Sequence, residues 1–520
     1  MPQFSENKSL TLILLFAVIL SCCKKTELYT ENTENSADKI VSGNHVLVTA
    51  FSISKVLGDN MVIQRDKPFV IWGQSPAGHI IDVKASWNSK TFSTIPDISG
   101  NWQVSLPASR ANAAPQTIVI TDNYNGTTKF TTLKNLLIGD VWIASGQSNM
   151  MFPVDSLEPW PGSTGVTNHK TEIASANFPA VRLTTVPYSR LTQPADHVSS
   201  NMRWQECTSA TVRTYSAVAY FFGRKIHKET NVPVGLIVSA VAATYCQEWI
   251  DFNIIKPYPI YSGTKYASML YNGMICPLRK LSIKGFIWDQ GEANRYDPAD
   301  YYTQLNSAMI TNWRTAFKQA DLPFYFVQMT PLAANYFQTN PWGDDPAAND
   351  YAFFREFQAN VIKRTPLTGM AVSMDVDEIV SIHWKAKRPV AERLAALALR
   401  NEYKRNVQCV GPQFLKVVIQ GNKGIIHFVA GTAEGLQTNN GKKLNQLFFM
   451  AGRDSVFKQA FAVIKGNTIE VTPPQGFKYP ALALRYAFTN FAVTNLQNSA
   501  GFPAEPFRTD KWKDIQKTRL

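Results

Sequence analysis

The sequence predicts an α/β protein: a parallel sheet flanked by helices, with N-terminal and C-terminal β-sandwich modules on either side of it. Three observations lead there. Apolar runs at 141–145, 234–240, 283–288, 323–329 and 369–374 alternate with helical stretches, and repeated strand-then-helix units build parallel sheets covered on both faces. Residues 45–135 and 405–520 instead carry short alternating runs broken by Gly, Asn and Pro, the pattern of all-β modules. A chain of 520 residues also exceeds what one ordinary core supports, so the α/β unit is expected at 136–404 between the other two.

Composition excludes several function classes. The 52 basic and 39 acidic residues, net +13, are scattered, with no basic helical stripe and no zinc-finger spacing. No nucleic-acid role is expected, whereas weak attraction to anionic surfaces or acidic sugars fits the charge. Lys8 precedes the apolar run 10–20, followed by Ile19-Leu20-Ser21-Cys22. The run is short for a membrane span, which needs about 20 apolar residues, but suits a signal peptide at 1–21. The tetrapeptide resembles a bacterial lipobox, which implies lipid on Cys22, a flexible tether over 22–44, and a periplasmic or cell-surface lipoprotein held to the membrane through that lipid. Simple secretion with cleavage near Ser21 is the alternative. Cys207, Cys246, Cys276 and Cys409 form no Cys-x-x-Cys pair, so no metal or redox centre is expected; an exported setting permits disulfides among them.

Taken in order, the first β module shows runs at 69–72, 80–85, 102–106 and 117–121, separated by turns such as Pro76-Ala77-Gly78 and Ser99-Gly100-Asn101. The strand 141–145 then breaks at Gly146, which leaves Ser148 on a strand-to-loop turn where its hydroxyl stands clear of its own backbone. An ordinary Ser/Asn turn is the plain alternative. Met150 occupies the second Gly position of a Gly-x-Ser-x-Gly elbow, which disfavours an α/β-hydrolase. A helix at 217–228 leads into the buried strand 234–240. The strand 283–288 runs into Asp289-Gln290-Gly291-Glu292-Ala293-Asn294. Helices at 301–317, 350–362 and 385–403 alternate with strands at 323–329 and 369–374. Beyond Arg405 the β pattern returns at 414–420, 424–429, 446–450, 461–464 and 468–471, and closes in an Asn/Pro-rich segment at 485–510.

Sites on such sheets lie where strands deliver their C-terminal ends. Three of those ends offer polar groups: Ser148, Gln290–Asn294 (290–294), and the loop 375–383. A serine nucleophile needs a base. Of seven histidines only His383 sits in a loop after a parallel-sheet strand and before a helix, so it is the preferred base.

Gly-Gln-Ser-Asn-Met at 146–150, Ile-Trp-Asp-Gln-Gly-Glu-Ala-Asn at 287–294 and Ser-Ile-His at 381–383 together resemble the sialate O-acetylesterase family of the SGNH-hydrolase superfamily. Segments at 59–65, 233–237, 271–275 and 507–510 resemble family segments too, so the likeness covers nearly all of the chain after about residue 45. The resemblance implies an SGNH-like sheet and a cofactor-independent esterase that removes acetyl groups from the hydroxyls of an O-acetylated sugar or glycan. Ser148 would attack the acetyl carbonyl through an acyl-enzyme, and His383 would carry the proton. The oxyanion donors would be the backbone N–H of Ser148, a backbone N–H at Ala242–Ala243 (242–243, Ala243 favoured) and the amide of Gln290. Glu292 and Asn294 would support them.

Three departures from the family pattern stand out. Many relatives have Gly-Gly-Thr where this chain has Ala242-Ala243-Thr244, which keeps the N–H if the backbone does not need positive φ. Ser381 stands where many relatives carry the Asp that orients the histidine; Asp375, Asp377 and Glu378 are the substitutes in the same loop, beside a Ser–His dyad helped by a backbone carbonyl. Trp384 replaces a common Pro. These departures motivate an alternative, a glycan-binding lipoprotein of the same fold with impaired turnover. An acyl hydrolase acting on lipid or peptide esters is disfavoured, because no lid-like apolar helix is evident.

Overall fold

One strand, Thr127–Gly146, organises the chain. The computed structural model describes residues 39–42, 45–156, 165–298, 300–332, 350–379, 381–478, 480–490 and 492–512. The expected signal peptide, Cys22 and most of the expected tether lie outside the described residues. Within that tether, Lys39–Ser42 pairs antiparallel with His45–Val48.

The first half of the long strand belongs to the N-terminal β region. It pairs antiparallel with Asn112–Tyr124, which in turn pairs with Ile80–Ala85. A second sheet, Ser52–Ile53, Phe69–Gln74 and Asn101–Leu106, lies in the same region. The register with Asn112–Tyr124 shifts between Leu133 and Leu136, where Asn135 adopts a left-handed φ of 53°. Such a bulge bends a strand without ending it. From Leu136 to Gly146 every residue is buried, and the strand continues as the central member of a second, parallel arrangement. The expected boundary between the first two units thus falls inside a continuous strand, at its bend.

That arrangement runs Gln205–Thr208, Asn177–Thr185, Val234–Ala240, Thr127–Gly146, Gly285–Asp289, Phe324–Val327, Thr368–Ala371. All neighbours are parallel except the first pair. The chain builds first to one side of the central strand and then crosses to the other, which opens a crevice at that strand's C-terminal end. Alternation along the strand gives each face its own core. Trp142 and Ala144 pack with Phe222 and Leu394 beneath the helices Ala217–Thr230 and Lys387–Asn401. Ile143 lies in the opposite core with Phe286, Trp288 and Trp313, on the side of Tyr301–Ala316 and Asp350–Arg364. Asp140, fully buried, accepts Arg65 Nε at 2.9 Å and Nη2 at 3.1 Å, which ties the N-terminal region to the central strand.

The C-terminal region is β-rich, with a seven-stranded antiparallel sheet between Phe414 and Arg508. The strand Phe507–Arg508 and the end of Ala483–Tyr486 fall within the stretch expected as an Asn/Pro-rich segment; Arg485 there pairs with the buried Asp510 at 2.8 Å. The buried guanidinium of Arg355 donates to the carbonyls of Met329 (3.1 Å) and Thr489 (3.0 Å), fastening this region to the α/β part. Among the described residues, Cys207, Cys246, Cys276 and Cys409 are free thiols, and no helix is long and apolar enough to cross a membrane.

Candidate active site

Three neighbouring strands end level with one another, Ala240 opposite Gly146 and Gly146 opposite Asp289. Gly146, at φ 137°, packs so closely that a Cβ would sit 2.2 Å from the Asp289 carbonyl oxygen; only glycine fits. Gln147 N then donates to Asp289 O at 3.0 Å and Val241 N to Gly146 O at 3.1 Å. The loops after all three strands are therefore laced together by backbone bonds at one point.

Ser148 is not on an open loop. It begins the short helix Ser148–Met151 and is 5 % exposed. Asn149 beside it is fully buried, and its amide bonds to three other segments. Nδ2 donates to Glu292 Oε1 at 2.6 Å and to the Ile382 carbonyl at 3.1 Å, and Oδ1 accepts from Lys387 Nζ at 2.6 Å. One side chain thus joins the residue after Ser148 to the residue before His383.

Ala243 is exposed and holds φ at 56°. The left-handed conformation is required here, so the condition attached to this alanine, a backbone without positive φ, is not met; Ala243 keeps its N–H, and an L residue in that region costs about 1–2 kcal/mol. Gln290 departs further from expectation. Its Nε2 donates to Thr244 O at 3.1 Å and to Asn294 Oδ1 at 2.7 Å, while Tyr302 Oη donates to its Oε1 at 3.1 Å. Both amide hydrogens are engaged inside the protein, and Gln290 is 2 % exposed. In this arrangement it braces the Val241–Thr244 turn (241–244) instead of aiming at a substrate oxygen. Asn294 accepts from Cys246 N at 2.8 Å and donates to Gln247 Oε1 and Asp297 Oδ2. Burial raises the Asp297 carboxyl to about 6. Glu292 holds Asn149, as above, and its other oxygen is buried with no hydrogen-bond partner.

The residues proposed to orient His383 are dispersed. Asp375 forms a two-pronged ion pair with Arg393, at 2.8 and 2.5 Å. Glu378 accepts the backbone N–H of Lys385. Ser381 Oγ accepts from His383 N at 3.1 Å and donates to His383 O at 3.2 Å, fixing the backbone of that residue. Asp377 is exposed. Burial, and next the charge of Lys387, hold the His383 imidazole down to about 4, so it is neutral and able to accept a proton across the ordinary pH range.

Two groups escaped the sequence reading. Asp289 and Lys387 are both buried in the same spot. Burial raises the Asp289 carboxyl and lowers the Lys387 ammonium, each shift opposed by the other's charge. The ammonium also stacks over the rings of Trp384 at 3.5 Å and Phe152 at 4.9 Å, which gives Trp384 a role that proline could not fill. The signal available in sequence was an acid at the end of a wholly apolar strand and a lysine four residues past the histidine.

The arrangement, a small hydroxyl and a neutral imidazole beside a buried polar cluster at the strand ends, suits acyl transfer. Residues 138–395 match the family described as carbohydrate esterase, sialic acid-specific acetylesterase. The human sialate O-acetylesterase is 26 % identical over 514 residues, covering 88 % of this chain and 92 % of its own length. Its mouse counterpart is 25 % identical over 530 residues, covering 88 % and 94 %. A solved carbohydrate acetylesterase from Xanthomonas citri is 31 % identical with a TM-score of 0.78, over 89 % of this chain and 100 % of that one. With such a relative spanning both chains, this protein is a hydrolase acting on esters and belongs to the sialic acid-specific acetylesterase family of carbohydrate esterases.

Proposed function

We propose that the protein removes acetyl groups from the hydroxyls of O-acetylated sugars, sialic acids among them, with Ser148 as nucleophile and His383 as base. The observation that carries this reading is the Asn149 amide, which links the Ser148 helix to the backbone beside His383. Ser148 Oγ adds to the acetyl carbonyl and His383 takes its proton. The backbone N–H groups of Ser148 and Ala243 stabilise the tetrahedral oxyanion. The sugar oxygen leaves with the proton, and water then hydrolyses the acyl-enzyme by the same steps in reverse. Gln290 is left out of the oxyanion contacts because its donors are engaged.

Acetate release from O-acetylated sialic acid, acetylated xylan and pectin fragments and p-nitrophenyl acetate, with Ser148→Ala as control, tests it. The variant should lose at least about a thousandfold in kcat. Equal release by both proteins would sink the nucleophile; binding of acetylated glycan with no release by the wild type would favour the impaired glycan binder.

Two finer readings accompany this one. Export and lipid attachment at Cys22 rest on residues 8–25, and loss of membrane association in Cys22→Ser tests them. The two β-rich regions are read as sandwich modules framing the α/β part; for the N-terminal one, support comes from Trp72 and Trp102 of one sheet sharing a core with Ile81 and Val83 of the other.

A further inference from the structure

Lys387 is an expensive residue to keep where it is. Its side chain is wholly buried, and it is the first residue of the helix Lys387–Asn401, the end at which a helix disfavours a cation. A well-packed apolar residue would serve stability at least as well. Groups facing the ammonium come from four elements. They are Asp289 at a strand end, Glu292 in the following loop, Glu378 and His383 in the histidine loop, and Asn149 in the serine helix. Buried polar clusters of this kind concentrate at functional sites.

The amide of Asn149 shows what the lysine does. An asparagine side chain can turn over, exchanging its oxygen and nitrogen ends. An ammonium can only donate, so it requires the oxygen; the Ile382 carbonyl and the Glu292 carboxylate can only accept, so they require the nitrogen. All three contacts are made at 2.6–3.1 Å. Remove the ammonium and the preference for one orientation weakens, and with it the tie between the helix that starts at Ser148 and the chain that enters His383.

We propose that Lys387 is a positioning residue for ester hydrolysis: its buried ammonium locks the Asn149 amide in one orientation and thereby sets Ser148 against His383. The inference rests on the reading of those two residues as nucleophile and base. Lys387 touches no substrate; it acts through Asn149 and through its field at His383.

The test is steady-state hydrolysis of p-nitrophenyl acetate across pH by Lys387→Met and Lys387→Arg, with Ser148→Ala alongside and circular dichroism to confirm the fold. Both lysine variants should lose about tenfold to a hundredfold in kcat, the scale set by a small misplacement of reacting groups, with KM within about twofold. Lys387→Met should also move the acid limb of kcat/KM upward by about one pH unit, because the charge that depresses His383 is gone; Lys387→Arg should leave the limb in place. A lysine that only stabilised the fold would move neither kcat at fixed KM nor the limb. Wild-type kcat in Lys387→Arg, or an unmoved limb in a folded Lys387→Met, overturns the inference. If the methionine variant does not fold, kcat and KM of the arginine variant decide alone. Full turnover by Ser148→Ala would instead remove the nucleophile reading itself, so the two failures are distinct.

Discussion

Gly146 and Asp289 stand opposite each other on the last rung of two parallel strands, with no room between Gly146 Cα and the Asp289 carbonyl for a methyl group. Gly146→Ala should therefore destabilise the protein by about 3 kcal/mol, combining overpacking with an unfavourable φ. It should also lower kcat, because the displaced rung carries Gln147 and Ser148. Chemical denaturation followed at two wavelengths, beside initial rates, checks both; unchanged stability would contradict the close approach.

Ala243 behaves in the opposite sense. Replacing it by glycine relieves a left-handed backbone at a cost in unfolded-state entropy, for a net gain of about 0.5 kcal/mol. Turnover should hold or rise, because the backbone N–H stays where it is. A loss of stability in Ala243→Gly would mean that the turn does not hold positive φ in solution.

The two kinds of pH dependence should separate. With a folded pKa of about 4 against an ordinary 6.5, His383 takes up its proton more readily when the chain is unfolded. The unfolded state then binds more protons between those values, so this stability contribution is complete above pH 6.5 and is lost as pH falls toward 4. Turnover per folded molecule should persist to lower pH, with its acid limb near 4. Thermal unfolding and kcat/KM, both measured from pH 4 to 8, will show whether stability declines first; a limb near 6.5 would place the imidazole in a wetter setting.

Asp375 is predicted to matter for stability and little for chemistry. Asp375→Asn breaks a two-pronged pair with Arg393, whose Nη1 also holds the Val372 carbonyl at 2.8 Å. A loss of about 1–3 kcal/mol is expected, with kcat within about threefold of wild type. A hundredfold drop in kcat at unchanged stability would return Asp375 to the role of orienting the histidine.

Much of the α/β part was readable from hydrophobic runs. Val234–Ala240 lies where its buried run placed it, and the ends of the three site strands converge as the strand-helix alternation implied. The strand Asn177–Thr185 was not anticipated, because Pro179 and its threonines break the apolar signature of a strand that is half buried. Nor was the full length of Thr127–Gly146: its first four residues are exposed and polar or isolated, and only the apolar half announces itself. At the candidate site, residue type and position singled out Ser148 and His383, whose segments Asn149 ties together. Lys387 was not, since a lysine in an amphipathic helix ordinarily reads as solvated surface, and only the tertiary structure brings it to Asn149. The four candidates for orienting His383 shared its loop, but a loop's neighbours in sequence need not face one another, and Arg393 from the next helix captured Asp375.

The bend at Asn135 leaves the N-terminal β region and the catalytic sheet sharing a single backbone, with no linker at which they part. Any cut that frees the α/β portion severs the strand delivering the nucleophile, so the β region at 45–135 is not an accessory that could be trimmed, swapped or lost by recombination. The two regions should unfold in one cooperative step and be inherited together, and a pull on the N-terminal side would be felt first at Ser148.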